Sequence, residues 1–480
     1  MRFVDNSCGA AASISLGRQP QVPSRTLNVS PGRGDIESAR PHMPPLPGLR
    51  NRIASRFLGL TLQANALRHF GTERALRFSV ICFSIFCVAV TLVYSAFADE
   101  KGQALRADAD YTAHRSDPIN HDVDFSFIVT PPYQCKVLQV WVPVPQSDYA
   151  QQVGDSTFTT FPLEVKPKIG TEPVYGNRFA YFEFQNPKGA QIIRHRFAAT
   201  VWNLHWNVEA ENVRTVSKWP ADFDRYLQAP KLKDEQELNK VLRQFTHEES
   251  SSAGALVAAM RWIDTNLQYD HVNASLKADA DHAFSQRRGH CSDYHGLCAT
   301  MGRALGHPSR VTYGMALFPK NSPSHCKMES YLPPYGWVSF DLSETQKLVA
   351  TINANEQLSG DEKQDLSAQA RARMMAGFRD NSWLRLKTGN DYELVPKAAE
   401  KVRVVRTAYV EADGEALPDP DPANTEKREF AWMTSHKFTA DKEFKLPFKD
   451  FTTLNIEHPT SNLQHRTQAA EHRTPKAENQ

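Results

Sequence analysis

The sequence predicts an α+β protein in which an antiparallel β-sandwich precedes a core of helices packed on antiparallel strands. Three observations carry that expectation. Between residues 119 and 214 short runs alternate apolar and polar residues, the period of a half-buried strand. Near residue 253 the period lengthens to that of an amphipathic helix. From 309 to 341 alternation returns in three short runs, the last two flanking Pro333-Pro334.

The first region contains VDFSFIVT (123–130), KVLQVWVPVP (136–145), NRFAYFEF (177–184) and QIIRHRFAATV (191–201). In the last, Ile193, His195, Phe197, Ala199 and Val201 share one face, with Arg194, Arg196 and Thr200 on the other. Pro, Asn and Gly between the runs mark turns, and about a hundred such residues suit a sandwich. Trp141, Trp202 and Trp206 could form a carbohydrate-binding face, but packing is the plainer reading.

Leu256, Met260, Ile263 and Leu267 recur at helical spacing. A second helix begins at Cys291, runs through Leu297, Met301 and Leu305, and stops at Gly306 before Pro308. The run SRVTYGMALF (309–318) places Val311, Tyr313, Met315 and Leu317 on its inward face. SHCKMESYL (324–332) and YGWVSFD (335–341) form a hairpin. Ser359 and Glu362 match a capping box opening a helix that ends by Gly377. SWLRLK and VRVVRTAYVEADG close the ordered part as strands.

The expected layout is a leader over 1–75, disordered or the product of a mis-called start, and a signal peptide or membrane anchor over 76–98. A linker (99–118), the β-sandwich (119–214), the core domain (215–415) and an extension with a disordered tail (416–480) follow. The apolar run from Phe78, preceded by Arg74 and Arg77 and followed by Ala96-Phe97-Ala98, reads as a secretory signal cut after Ala98. Its length also suits an uncleaved anchor over 78–98. Either way the remainder is expected outside the cytoplasm, periplasmic or secreted, or anchored to the membrane.

A net charge of +2 gives no argument for a nucleic-acid partner. Beyond the leader and signal the chain keeps Cys135, Cys291, Cys298 and Cys326, too few for a dense disulfide scaffold. No calcium loop, dinucleotide fingerprint or P-loop is evident, so no cofactor is implied.

The stretch RRGHCSDYHGLC (287–298) admits two chemical readings. Cys291, His295 and Cys298 lie at i, i+4 and i+7 on one helix face, and with His290 they could ligate zinc. Three ligands from two turns of one helix are unusual, however. Alternatively Cys291 alone is chemical. At a helix start its sulfur meets unpaired N–H groups that favour a thiolate, and its own N–H can donate to an oxyanion. Cys298 is then a small buried group, Cys326 is packed, and His295 belongs either to the core or to the cleft.

A hairpin centred on Pro333 sets His325 opposite Asp341, near enough for a carboxylate to orient an imidazole. A slip by two residues would leave the pair within diagonal reach. Cys291, His325 and Asp341 thus compose a candidate nucleophile, base and orienter; the plain alternative for His325 and Asp341 is a surface ion pair.

GHCSDYHGLCATMGRALGHPSRVTYG followed by HCKMESYLPPYGWVSFDLSET resembles the core of the bacterial transglutaminase-like superfamily. The landmarks are Gly289, Cys291, Asp293, Tyr294, Arg303, Ala304, Gly306, Pro308, Arg310, His325, Tyr335, Gly336, Trp337 and Asp341, and the likeness with the preceding β-region covers roughly 120–415. It implies a papain-like core, with Cys291 as nucleophile, His325 as base and Asp341 as orienter. One departure is Lys327, where many relatives carry Trp. Its ammonium either lies beside the imidazole, opposing protonation or meeting an acidic substrate group, or, more plainly, reaches solvent.

The function expected is that of a thiol enzyme acting on amide or peptide carbonyls through an acyl-enzyme, with water completing the reaction. Its partner is then a protein or peptide, with the cell envelope as one source. The rivals are an amine-transferring cross-linker, a binding module on the same fold and a structural envelope module.

Overall fold

Alternation builds two antiparallel sheets from the first part of the chain. In the strand His114–Val129, Val123, Phe125, Phe127 and Val129 are buried, while the residues between them are less so. It pairs with Gln191–His205 on one side and with Trp432–Ala440 on the other. A second sheet pairs Val137–Val144 with Arg178–Gln185 and with Tyr409–Ala412. Leu138, Val140, Phe182 and Phe184 of that sheet share one apolar core with Phe125, Phe127 and Phe197 of the first. Trp141 and Trp206 are buried, and Trp202 lies under the Arg115 guanidinium, 4.4 Å from its carbon to the ring centroid. The tryptophans pack.

This computed structural model describes residues 105–249, 251–320, 322–420 and 432–454. The leader, the apolar run from Phe78 and the tail after 454 lie outside them. Among the described residues, no helix is long and apolar enough to cross a membrane. Tyr409–Ala412 and Trp432–Ala440 come late in the chain yet complete the early sheets. In Trp432–Ala440 only Trp432 is buried, and the alternate residues Thr434, His436 and Phe438 are half-buried, so its apolar face is weakly marked in the sequence.

The helix Ser252–Asn266 starts where expected, with the Ser251 hydroxyl accepting from the Gly254 N–H at 3.0 Å, and buries Leu256, Met260 and Ile263. The Ser359–Glu362 box opens Gly360–Met375 with both reciprocal hydrogen bonds. The sequence reading leaves out several helices, among them the short Ala280–Gln286, in a stretch read as a polar loop, and two longer ones. Glu235–Glu248 is capped by Asp234, and Leu342–Ala354 by Asp341, whose side chain accepts from the Glu344 N–H at 3.1 Å.

A four-stranded sheet carries the hairpin. Its order is Trp337–Phe340, Ser324–Tyr331, Ser309–Ala316, Trp383–Thr388, all antiparallel. The expectation that Ser309–Ala316 buries one face needs correction, because all eight of its residues are buried. The helix Cys291–Ala304 covers one side of the sheet, while Met315, Leu317, Leu384 and Leu386 join the core of the first two sheets. A strand covered on both faces shows no polar side to read.

Several motif residues hold this frame. Arg303 donates to the Ser309 carbonyl at 2.8 Å. Arg310 donates to Glu329 at 2.8 Å and lies 3.8 Å from the Trp337 ring centroid. Trp337 in turn donates its indole N–H to the Ala107 carbonyl at 2.9 Å.

Candidate active site

His290 is the N-cap of the Cys291 helix, with extended backbone at φ −109° and ψ −176°. Its Nδ1 accepts from the Ser292 N–H at 3.3 Å, and Asp293 Oδ2 accepts from the His290 N–H at 3.2 Å. Asp293 also accepts from the Ser275 N–H at 3.1 Å, tying an incoming loop to the first turn. A Cβ at Gly289 would stand 2.5 Å from the Asp293 Cβ, so only glycine fits before this cap. The local sequence therefore holds the Cys291 sulfur at the end of a helix where backbone N–H groups are unpaired.

The hairpin supplies the partners, with a different centre. Met328 pairs with Phe340 and Tyr331 with Trp337, so the turn is centred one residue later than expected, at Pro334. Continued by one step, that pairing sets Asp341 opposite Lys327 and leaves His325 on the diagonal. The diagonal suffices: His325 Nε2 lies 2.7 Å from Asp341 Oδ2. With Nε2 taken, Nδ1 is the nitrogen left for Cys291, which lines the same cleft as His325 and has its sulfur 3.7 Å from His290 Nε2.

Lys327 does not reach solvent, contrary to the plainer expectation. It is 1% exposed, 2.6 Å from Asp341 Oδ2 and 2.9 Å from Asp380 Oδ1. The reason is the shifted pairing, which aims Lys327 at two buried carboxylates. Asp341 is thus shared between an imidazole and an ammonium while its other oxygen caps a helix.

These neighbours set the protonation states. Burial works against the His325 imidazolium, but Asp341 outweighs it and, with Cys291, carries the group up to about 9. Burial also opposes the Asp341 carboxylate, yet Lys327 and His325 hold it well below the usual carboxylate range. Lys327 is desolvated, and Asp341 with Asp380 still raises it. The Cys291 thiol is held well below an ordinary thiol, first by a hydrogen bond from Cys326, then against burial by His290 and His325.

Cys326 was expected only to pack. It is buried, and its sulfur also lies 3.6 Å from His295 Nδ1. The Leu342 N–H donates to His295 Nε2 at 3.2 Å, so His295 carries its proton on Nδ1 and points it at Cys326. Burial pushes His295 down to about 4, which keeps it neutral. Burial pushes Cys298 up, an inert thiol one helical turn below. The helix face that suggested zinc is therefore divided: Cys291 lines the cleft, while His295 and Cys298 are committed to the core. Among the described residues, no group of three or more His, Cys, Asp or Glu is placed to hold a metal ion.

Cys291 and His325 open into a cleft of about 340 Å³ whose lining includes Tyr269, His290, Lys320 and Lys347. The Lys347 ammonium stands 3.7 Å from the Tyr269 ring centroid.

Residues 239–342 match the family model of the transglutaminase-like superfamily. An uncharacterized protein of Haemophilus influenzae is 22% identical over 232 residues, which span 43% of this chain and 61% of that relative. Among solved structures, a candidate cysteine protease from Cytophaga hutchinsonii is similar with 14% identity and a TM-score of 0.48, covering 69% of this chain and 94% of that one. The periplasmic domain of TgpA from Pseudomonas aeruginosa is similar with 18% identity and a TM-score of 0.29, covering 51% and 77%.

Proposed function

We propose that the protein is a thiol amide hydrolase in which Cys291 is the nucleophile, His325 the base and acid, and Asp341 the orienter. The observation that supports this best is a cysteine at a helix start, beside an imidazole whose far nitrogen lies 2.7 Å from a buried carboxylate. The resting pair is thiolate and imidazolium. The thiolate attacks an amide carbonyl carbon, forming a C–S bond and an oxyanion that the Cys291 N–H can hold. His325 gives its proton to the leaving amine as the C–N bond breaks. Neutral His325 then takes a proton from water, whose hydroxide attacks the thioester and releases the acid and the thiolate. Tyr269 lines the cleft and is a candidate second donor to the oxyanion. We also propose, from the apolar run at 78–98, that the domain works outside the cytoplasm, on protein or peptide substrates of the envelope.

Iodoacetamide labelling of Cys291 across pH, read on the isolated peptide by mass spectrometry, tests the reading. The His325 value is raised, so its share of stability is complete below the unfolded value of about 6.5 and is lost as pH rises through about 9. The Cys291 value is lowered, so its share is complete above about 8.5 and is lost as pH falls through the lowered value. Between these limits the ion pair holds as many protons as the neutral pair. Labelling is therefore expected to stay fast and nearly flat from below neutrality to about pH 8.5, and amide turnover to decline near 9 as the imidazolium is lost. In His325→Ala the labelling should follow an ordinary thiol. A wild-type profile that rises only near 8.5 would sink the proposal.

A further inference from the structure

The cleft over Cys291 is lined by four cationic side chains drawn from distant parts of the chain: Lys320, Lys347, Arg406 and Lys449. Among the described residues, no Asp or Glu lines it. Behind the lining, Asp341 is taken up by His325 and Lys327, and the buried Glu344 binds Lys347 at 2.8 Å and Lys449 at 3.1 Å. One carboxylate thus serves two ammonium groups, and Lys449 stays partly exposed.

The other two cations are less satisfied. Lys320 makes no ion pair among the described residues, and its ammonium sits 5.7 Å from the Phe318 ring centroid. Arg406 is buried, and its Nη1 donates to the Pro420 carbonyl at 3.3 Å. Its Nε has no hydrogen-bond partner among the described residues. Asp419 is close enough to feel the Arg406 charge, without a direct ion pair. Holding partly desolvated cations around a thiolate without matching carboxylates is costly, and an anion entering the cleft would relieve that cost.

We propose that the cleft selects acyl substrates that carry a carboxylate beside the reacting carbonyl, bound by Lys320, Lys449 and Arg406. This rests on the thiol-hydrolase reading of Cys291 and adds the substrate class to it. The carboxylate can come from an Asp or Glu side chain flanking the reacting amide, or from the free terminus of a short peptide. Lys320 and Lys449 are the specificity-determining residues, since both line the cleft beside Cys291 and, among the described residues, neither is held by a carboxylate of its own.

Two alkylating reagents test this without knowledge of the natural substrate. Iodoacetate and iodoacetamide share a leaving group and differ by one negative charge. The full-length protein is labelled with each, and the rate ratio at Cys291 is compared with the ratio for Cys291 in the same chain unfolded in urea. About a tenfold preference for iodoacetate is expected at low salt, shrinking toward the unfolded ratio near ~0.5 M salt.

The His325 imidazolium alone could attract iodoacetate, so a variant decides. Lys320→Gln with Lys449→Gln should lower the ratio about threefold or more, since each removed charge at this range is worth a factor of a few. A ratio that this double variant leaves unchanged overturns the proposal, as does a wild-type ratio equal to the unfolded one. If iodoacetamide itself labels no faster than the unfolded thiol, the hydrolase reading has failed instead. Among amide substrates, matched peptides with flanking Glu against Gln, and with free against amidated termini, separate the two sources. Acid preference in the first pair assigns a side chain and in the second a terminus; equal kcat/KM in both pairs overturns the proposal.

Discussion

Cys291 and Cys298 lie seven residues apart on one helix, both buried, and their thiols shift in opposite directions. Cys298 is surrounded by apolar groups in the second turn, and burial alone drives it up. Cys291 is as deeply placed, yet a thiol donor and two histidines lower it, and it stands at the start of the helix. Burial therefore does not by itself decide which way a thiol shifts; the donors aimed at it count as well.

The largest test of this comparison removes the charge that permits a carboxylate to stand behind His325. Lys327 is buried between Asp341 and Asp380, so Lys327→Met leaves two carboxylates to share what remains. We expect a loss of about 3–5 kcal/mol in urea unfolding, the usual cost of breaking a buried ion pair. Adding Asp380→Asn should return a substantial part of it, because one orphaned charge is gone. A single-variant loss below about 1 kcal/mol would mean that the ammonium escapes to solvent as surface lysines do.

How much of this could be read in the chain follows from the range of the interactions. The helix start at Cys291 is local, with Gly289, the His290 cap and Asp293 within five residues, and it was legible. The hairpin was legible as a motif, but its centre was displaced by one residue, because alternation fixes which residues share a face and not which pair opposes. That single step aims Lys327 at Asp341. Asp341 and Glu344, spaced as cap and third residue, mark the start of the helix Leu342–Ala354 and are a local signal in the sequence. The cationic lining was not legible, because Lys320, Lys347, Arg406 and Lys449 meet only through the tertiary fold. Nor was Cys326 assigned more than packing, since its role depends on the side of the strand that meets His295.

Cys326 offers the next test. It lies 3.6 Å from the ring of neutral His295, and a hydrogen bond from its thiol is the leading cause that lowers Cys291. Cys326→Ala removes one hydrogen bond to a charged sulfur, worth about 1.5–3 kcal/mol. The Cys291 labelling rate near pH 6 should then fall about tenfold or more, as its thiolate fraction drops. Cys326→Ser keeps a donor and should retain most of the rate. Equal loss in both variants would point to altered packing in place of the hydrogen bond.

The smallest effect is the one that completes the comparison. Cys298→Ala removes a sulfur from a tightly packed second turn and should cost about 1 kcal/mol of stability, a typical core truncation. Cys298 shares no hydrogen bond with Cys291, His325 or Asp341, and its thiol stays protonated at every pH at which the site works. The pH profile of Cys291 labelling should therefore be superimposable on that of the wild type, and metal content should not change. If Cys298→Ala instead moved the profile, or removed a stoichiometric metal ion, the two thiols would be members of one chemical unit. The spacing of Cys291, His295 and Cys298 would then matter as a ligand set. With the profile unmoved, that spacing reflects only how a helix with one chemical residue at its start buries the rest of its face.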